Sequence, residues 1–211
     1  MNGFKEQRLN MVERQLKARD ITDENVLKAM SEVPREKFVS KKLVNRAYDD
    51  SSLPIGSSQT ISQPYMVALM LQSLKPQKDD IILDIGTGSG YAAAVAGRIV
   101  KEVYSIERVA SLADKAKDTI DDLRYDNIQI RIGDGTDGWP EYAPYNGIMV
   151  AAAAETVPKA LKKQLAVGGN LTIPVESNHF EQNLKRYHKN GEDNFEIEVL
   201  SPVRFVPLIS D

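Results

Sequence analysis

Cysteine is absent from the 211 residues, and histidine occurs only as His179 and His188. Without cysteine there is no disulfide, no thiolate nucleophile and no zinc site built on sulfur. The two histidines stand far apart and lack the carboxylate spacing of a metal centre, so no metal is expected. No stretch approaches the roughly 18 consecutive apolar residues of a membrane span. The opening Met1-Asn2-Gly3-Phe4-Lys5 leads into polar sequence rather than an apolar signal core. No membrane partner is therefore expected, and a cytoplasmic location fits. Repeats of solenoid period and low-complexity tracts are also missing. Positive charge is not in excess: the formal net charge is −3 and the pI about 5.6, which argues against a surface built to grip phosphate backbones. Nucleic acid is not the expected partner.

What is present suits one globular domain. Apolar residues make up 42% and charged residues 27%, enough for a substantial core, and no shift in composition marks a linker. The reading is a single domain over 1–211. Residues 1–78 form a helical extension with a covering loop, and 79–211 a sheet core; a monomer is expected.

Residues 11–43 carry helical periodicity. Thr22 reads as an N-cap followed by the first-turn acids Asp23 and Glu24, and Pro34 ends the helix. Ser, Gly, Pro and Asp dominate from 50 to 63, which predicts an ordered loop. Met66, Leu69, Met70 and Leu74 recur at helical spacing, with Pro76 just beyond. Apolar runs and helical patterns then alternate. Strands are predicted at 81–85, 103–106, 128–132 and 148–152, and helices around 92–99, 112–123 and 158–165, the last stopped by Gly168-Gly169. This rhythm predicts an α/β fold, a Rossmann-like, doubly wound and mostly parallel sheet that binds ligands beyond the carboxyl ends of its strands. Residues 184–189 and 195–200 flank Asn190-Gly191, the signature of a C-terminal antiparallel hairpin.

Chemistry-bearing residues gather at three strand ends. Gly86-Thr87-Gly88-Ser89-Gly90 joins the first strand to its helix and lets the backbone approach a ligand beside the helix N-terminus. Its spacing is G-x-G-x-G. The dinucleotide fingerprint needs its third glycine one place later, where Tyr91 stands. Glu107 ends the second strand about twenty positions on, where an acid accepts hydrogen bonds from both ribose hydroxyls. Asp134, in Gly133-Asp134-Gly135, ends the third, where an acid can meet an adenine amino group. Taken singly, these features fit a tight strand-to-helix turn, a solvated acid and an Asp-Gly turn equally well.

Together they resemble the class I S-adenosylmethionine-dependent methyltransferases, whose first motif matches Leu83-Asp84-Ile85-Gly86-Thr87-Gly88-Ser89-Gly90-Tyr91. Within that superfamily the chain resembles the protein-L-isoaspartate O-methyltransferase family almost end to end, from Met11 to Leu208. The most specific stretches are Leu53-Pro54-Ile55-Gly56, Gln59-Thr60-Ile61-Ser62-Gln63-Pro64-Tyr65-Met66-Val67-Ala68, Gly133-Asp134-Gly135 with Gly138-Trp139, and Val203-Arg204-Phe205-Val206-Pro207-Leu208. The resemblance implies S-adenosyl-L-methionine as cofactor, leaving S-adenosyl-L-homocysteine. It implies isoaspartyl residues of damaged proteins and peptides as substrates, and a methyl ester that collapses unaided to a succinimide. It carries over Ser62 as the active-site residue, which also meets substrate. Thr60, Ile61, Gln63 and Tyr65 would enclose the cofactor, and Gly86, Gly88, Glu107, Arg108, Asp134 and Gly135 would contact it. Val203, Arg204, Phe205 and Val206 would meet substrate. Their alternation reads as a strand able to bind an extended peptide through its backbone, or as an ordinary sheet edge. Ser62 alone also fits a helix cap. Ser58 departs from the family, which has glycine there, so a stiffer loop or a different backbone angle is expected. Ala151 and Glu155 depart as well, after the fourth strand. Two rivals remain open at this level: a methyltransferase for a small molecule or nucleic acid, and a cofactor- or peptide-binding module without turnover.

Overall fold

Ile81–Ile85 (β3) is covered on both faces, and residues from Ile82 to Ile85 are at most 1% exposed. A computed structural model describes residues 3–177 and 181–210, so His179 lies outside the described residues. Ahead of β3 come the helices Gly3–Met11 (α1), Glu24–Glu32 (α2) and Pro64–Leu74 (α3), with the short strands Leu53–Gly56 (β1) and Gln59–Ile61 (β2) between the last two. After it follow Tyr91–Gly97 (α4), Glu102–Glu107 (β4), Ala110–Asp122 (α5), Ile128–Ile132 (β5), Tyr145–Val150 (β6), Lys159–Gln164 (α6), Leu165–Glu176 (β7), Gln182–Lys189 (β8) and Phe195–Val203 (β9).

The seven-stranded sheet runs β5-β4-β3-β6-β7-β8-β9. It is parallel from β5 to β7 and antiparallel from β7 to β9, as the alternation and the Asn190-Gly191 turn predicted. Beyond β3 the chain builds first towards β4 and then returns to the other side with β6, so the crevice for a ligand opens at the carboxyl end of β3. One apolar cluster joins Leu16, Val26 and Met30 of the N-terminal segment to Tyr91, Val95 and Val103. A second covers the opposite face through Leu83, Ile106, Ile148 and Leu161.

Local chemistry corrects several sequence-based expectations. The N-terminal helical segment starts at Gly3 and continues from α1 into a wide π turn at Val12–Lys17. The cap of α2 is Asp23, whose carboxylate accepts from the amides of Asn25 and Val26, and not Thr22. Val33 takes an extended backbone ahead of Pro34, which ends α2 as expected. Gly168-Gly169 does not follow a helix stop: α6 ends at Gln164, and the glycines sit inside β7 where its register with β6 shifts. The segment 50–63 is no plain loop, since β1 and β2 pair as a hairpin with Leu53 opposite Ile61. Finally, β9 ends at Val203, so the expected strand 203–208 does not form.

The hairpin turns through Ser57 and Ser58, with φ of +51° and +57°. Both lie in the left-handed region that a two-residue hairpin turn requires. Serine thus holds the angle at a position where glycine was expected from the resemblance, at the expense of strain at its Cβ. Ser58→Gly should stabilise the protein by about 0.5–1 kcal/mol and raise Tm by about 2 °C in a thermal melt. A lower Tm would mean that the serine side chain compensates for its backbone.

Candidate active site

A cavity of about 850 Å³ opens at the carboxyl end of β3, within the range of about 300–1,000 Å³ typical of small-molecule and cofactor sites. Its floor is the glycine loop. Gly86, Gly88 and Gly90 have φ of +87°, +55° and +88°, angles that let the chain turn sharply from β3 into α4. The amides of Gly86 and Thr87 donate to the Ile106 carbonyl, tying the loop to the end of β4.

Glu107 locks that arrangement. It is 6% exposed, and its two carboxylate oxygens accept from the backbone amides of Gly88 (2.7 Å) and Val109 (2.9 Å). Each oxygen retains a further lone-pair site, so the fixed carboxylate can also accept from ligand hydroxyls. Arg108 lines the cavity beside it, and its Nη1 donates to the Ile209 carbonyl at 3.0 Å. At the end of β5, Gly135 meets the cavity at a point where a Cβ would stand 2.3 Å from Ile85 Cγ2, so only glycine permits that approach. Asp134 instead faces its own turn, its Oδ1 accepting from the amide and hydroxyl of Thr136.

The hairpin covers the floor: the Ile55 side chain reaches within 3.3 Å of where a Gly88 Cβ would be. Thr60, Ile61, Ser62 and Gln63 follow it along the cavity wall. The helix cap is Gln63, no side chain caps the α3 N-terminus, and Pro64 occupies the first turn. The capping alternative for Ser62 is therefore overturned, and its hydroxyl is not committed to the helix. Tyr65 is not on the wall. Its buried ring packs under the Arg19 guanidinium, 3.2 Å from the ring centroid, and Arg19 also pairs with Asp50.

The tail closes the remaining side. Val203, Arg204, Phe205 and Val206 all line the cavity, Val203 as the end of β9 and the three after it as a strap rather than a strand. Its backbone is held by Ala153, whose amide donates to Val206 O and whose carbonyl accepts from Leu208 N, and by the Gln182 amide, which bonds both the N–H and the C=O of Phe205. A backbone so engaged leaves little for strand addition at these residues. The sheet edge next to the strap is β9.

Sequence reading assigned no role to Asp84, although an acid inside an apolar strand was a visible signal. It is fully buried, and burial pushes its carboxyl up to about 6, against the opposing pull of the Ser105 hydroxyl on its Oδ2. Among the described residues its Oδ1 has no hydrogen-bond partner. The Ser105 hydroxyl also bonds Thr87 in the glycine loop, so a buried polar chain runs from the central strand to the cavity floor. A group carrying vicinal hydroxyls fits Glu107. Among the described residues no cluster of three or more potential metal ligands occurs, and His188 instead meets the Asn170 side chain at 3.1 Å.

Residues 6–211 match the family profile described as protein-L-isoaspartate(D-aspartate) O-methyltransferase. A relative from Pelobacter propionicus named protein-L-isoaspartate O-methyltransferase 2 is 52% identical over 94% of this chain and 88% of its own. A solved structure described as protein-L-isoaspartate O-methyltransferase superposes with a TM-score of 0.86 at 27% identity, covering 98% of this chain and 66% of that one. Another, from Plasmodium falciparum, was solved in complex with S-adenosyl-L-homocysteine. It superposes with a TM-score of 0.83 at 27% identity, over 97% of this chain and 99% of that one.

Proposed function

The chain belongs to the protein-L-isoaspartate(D-aspartate) O-methyltransferase family, and we infer from that premise how its cavity performs the family's reaction. The enzyme transfers the methyl group of S-adenosylmethionine to the free carboxylate of L-isoaspartyl residues in damaged proteins. When bound, the cofactor supplies a sulfonium methyl, which passes to a carboxylate oxygen and leaves the neutral thioether S-adenosyl-L-homocysteine. A carboxylate with pKa of about 4 is already ionised at neutral pH and needs no general base. The residues therefore supply position. Glu107 takes the ribose hydroxyls, while Gly86, Gly88, Arg108 and Gly135 shape the surrounding wall. Thr60, Ile61 and Gln63 bound the cofactor from the hairpin side. The Ser62 hydroxyl donates to one oxygen of the isoaspartyl carboxylate and leaves the other free to attack in line.

The observation that carries this reading is the meeting of Ser62, Glu107 and the strap Val203–Val206 around a single cavity. The strap offers substrate an apolar shelf in Val203, Phe205 and Val206, with the exposed Arg204 for the negative charge of the substrate. Asp134 supports Gly135 through its turn, and Tyr65 supports the lid from behind, so both act on the cofactor at one remove. The chain works as one domain and as a monomer, a reading supported by apolar packing shared between the N-terminal helices and the sheet and by a cavity walled within one chain. It acts in the cytoplasm and on no nucleic acid. The acidic balance supports this, and among the described residues no helix is long and apolar enough to cross a membrane.

A paired-peptide assay tests the reaction. An isoaspartyl peptide should accept methyl groups from labelled donor at least about 100-fold faster than its aspartyl twin, because the shifted backbone moves the carboxylate by about one bond length or more. Equal transfer to both peptides, or none to either, would refute it.

A further inference from the structure

Arg35 is 0% exposed, and among the described residues no carboxylate forms a salt bridge with it. It lies in the short turn Arg35–Lys37 after Pro34. Nε donates to the Ala47 carbonyl and Nη2 to the Ser62 carbonyl, each at 2.7 Å. The guanidinium carbon sits 4.7 Å from the centroid of the Tyr91 ring, and Tyr91 is part of the cavity wall. Nη1 is buried and has no hydrogen-bond partner among the described residues. Burial lowers the pKa of the group, partly offset by Tyr91 and Tyr48.

Such a cation is an expensive component. A buried charge without an ionic partner destabilises the fold, and an apolar side chain of similar volume would serve packing better. Its geometry accounts for its presence. Ala47 precedes the β1–β2 hairpin and Ser62 follows it, so one planar fork grips the chain on both sides of the lid. The five N–H donors of a guanidinium keep fixed angles, which a lysine ammonium on a flexible stem does not reproduce.

We propose that Arg35 is a positioning residue for methyl transfer, clamping both ends of the lid hairpin so that the Ser62 hydroxyl is held at the substrate carboxylate. The proposal rests on the reading of Ser62 given above. It predicts that charge alone is insufficient and that the effect of Arg35 passes through Ser62.

The test is a double-mutant cycle on the full chain, measuring kcat and KM with isoaspartyl peptide and cofactor affinity by calorimetry. Arg35→Lys should lower kcat about 20-fold, with KM and cofactor Kd within about threefold of wild type, since misplacement by about 1 Å suffices for losses of that order. In a Ser62→Ala background the same substitution should change kcat less than about threefold, because the group it positions is gone. Should Ser62→Ala by itself turn over at the wild-type rate, the reading of Ser62 fails and this proposal with it. Should Ser62→Ala be slow and Arg35→Lys slow it a further 20-fold, Ser62 stands and the positioning role is overturned. Arg35→Gln guards against misfolding. If circular dichroism shows that both Arg35 variants have lost the folded state, the cation is structural and the proposal is overturned.

Discussion

Ser62→Ala should lower kcat for isoaspartyl peptide by at least about 100-fold while leaving cofactor affinity within about threefold. The expectation follows from what the reaction does not need. Its nucleophile is an anion at neutral pH, so the enzyme gains nothing from a base. The barrier it can lower is that of aligning oxygen, methyl carbon and sulfur. Ser62 lines the same cavity as the strap residues, and nothing in α3 claims its hydroxyl. Removing the hydroxyl takes away the group that keeps one carboxylate oxygen occupied, and leaves the glycine loop and Glu107 untouched. Ser62→Thr should recover part of the rate, because it restores the donor on a stiffer side chain. Single-turnover measurements with saturating donor and peptide separate chemistry from binding. Wild-type turnover in Ser62→Ala would remove this residue from the mechanism.

Glu107→Ala should weaken cofactor binding about 100-fold, or about 3 kcal/mol, through loss of charge-assisted hydrogen bonds to two hydroxyls. A second effect adds to the first. The same carboxylate accepts from Gly88 N and Val109 N, so its removal leaves two partly buried amides without that acceptor and loosens the glycine loop, which then stays tied to β4 through the Ile106 carbonyl. Glu107→Gln keeps the shape and one carbonyl acceptor, and should fall between alanine and wild type. Titration calorimetry with S-adenosyl-L-homocysteine reads the affinity directly and avoids turnover. Equal affinity in Glu107→Ala would show that the acid organises the loop without touching the ligand.

Much of this architecture was legible in the amino acids. The parallel strands β3, β4 and β6 are covered on both faces, so they appear as apolar runs, each followed by a helical pattern, whereas β5 at the sheet edge alternates apolar with polar residues. The glycines of 86–90 and the acid at 107 then mark where the strands end. What stayed hidden has particular causes. The hairpin β1–β2 has strands of only four and three residues, Leu-Pro-Ile-Gly and Gln-Thr-Ile, joined through Ser57-Ser58, so the segment as a whole had the composition of a loop. The glycine pair at 168–169 looked like a helix stop, but serves a register shift inside β7. Arg35 carried no signal at all in the sequence, since arginine is rarely buried without a partner and nothing nearby marks it as different from a surface charge. The alternation of 203–208 suggested a strand, yet the side chain of Gln182 and the backbone of Ala153, distant in sequence, hold it as a strap.

Local chemistry along the chain was sufficient to specify an alternating α/β sheet, a ligand loop after its first strand and an acid about twenty residues further on, because each depends on near neighbours and on burial of a periodic face. Packing between distant segments decided the rest. Only in three dimensions does the lid lie over Gly88, the strap cross Ala153, Tyr65 turn outward beneath Arg19, and a buried guanidinium reach the carbonyl of Ser62. Those contacts join residues that carry no periodic signal of one another, and their energies come from burial and from hydrogen bonds that exist only once the sheet has closed.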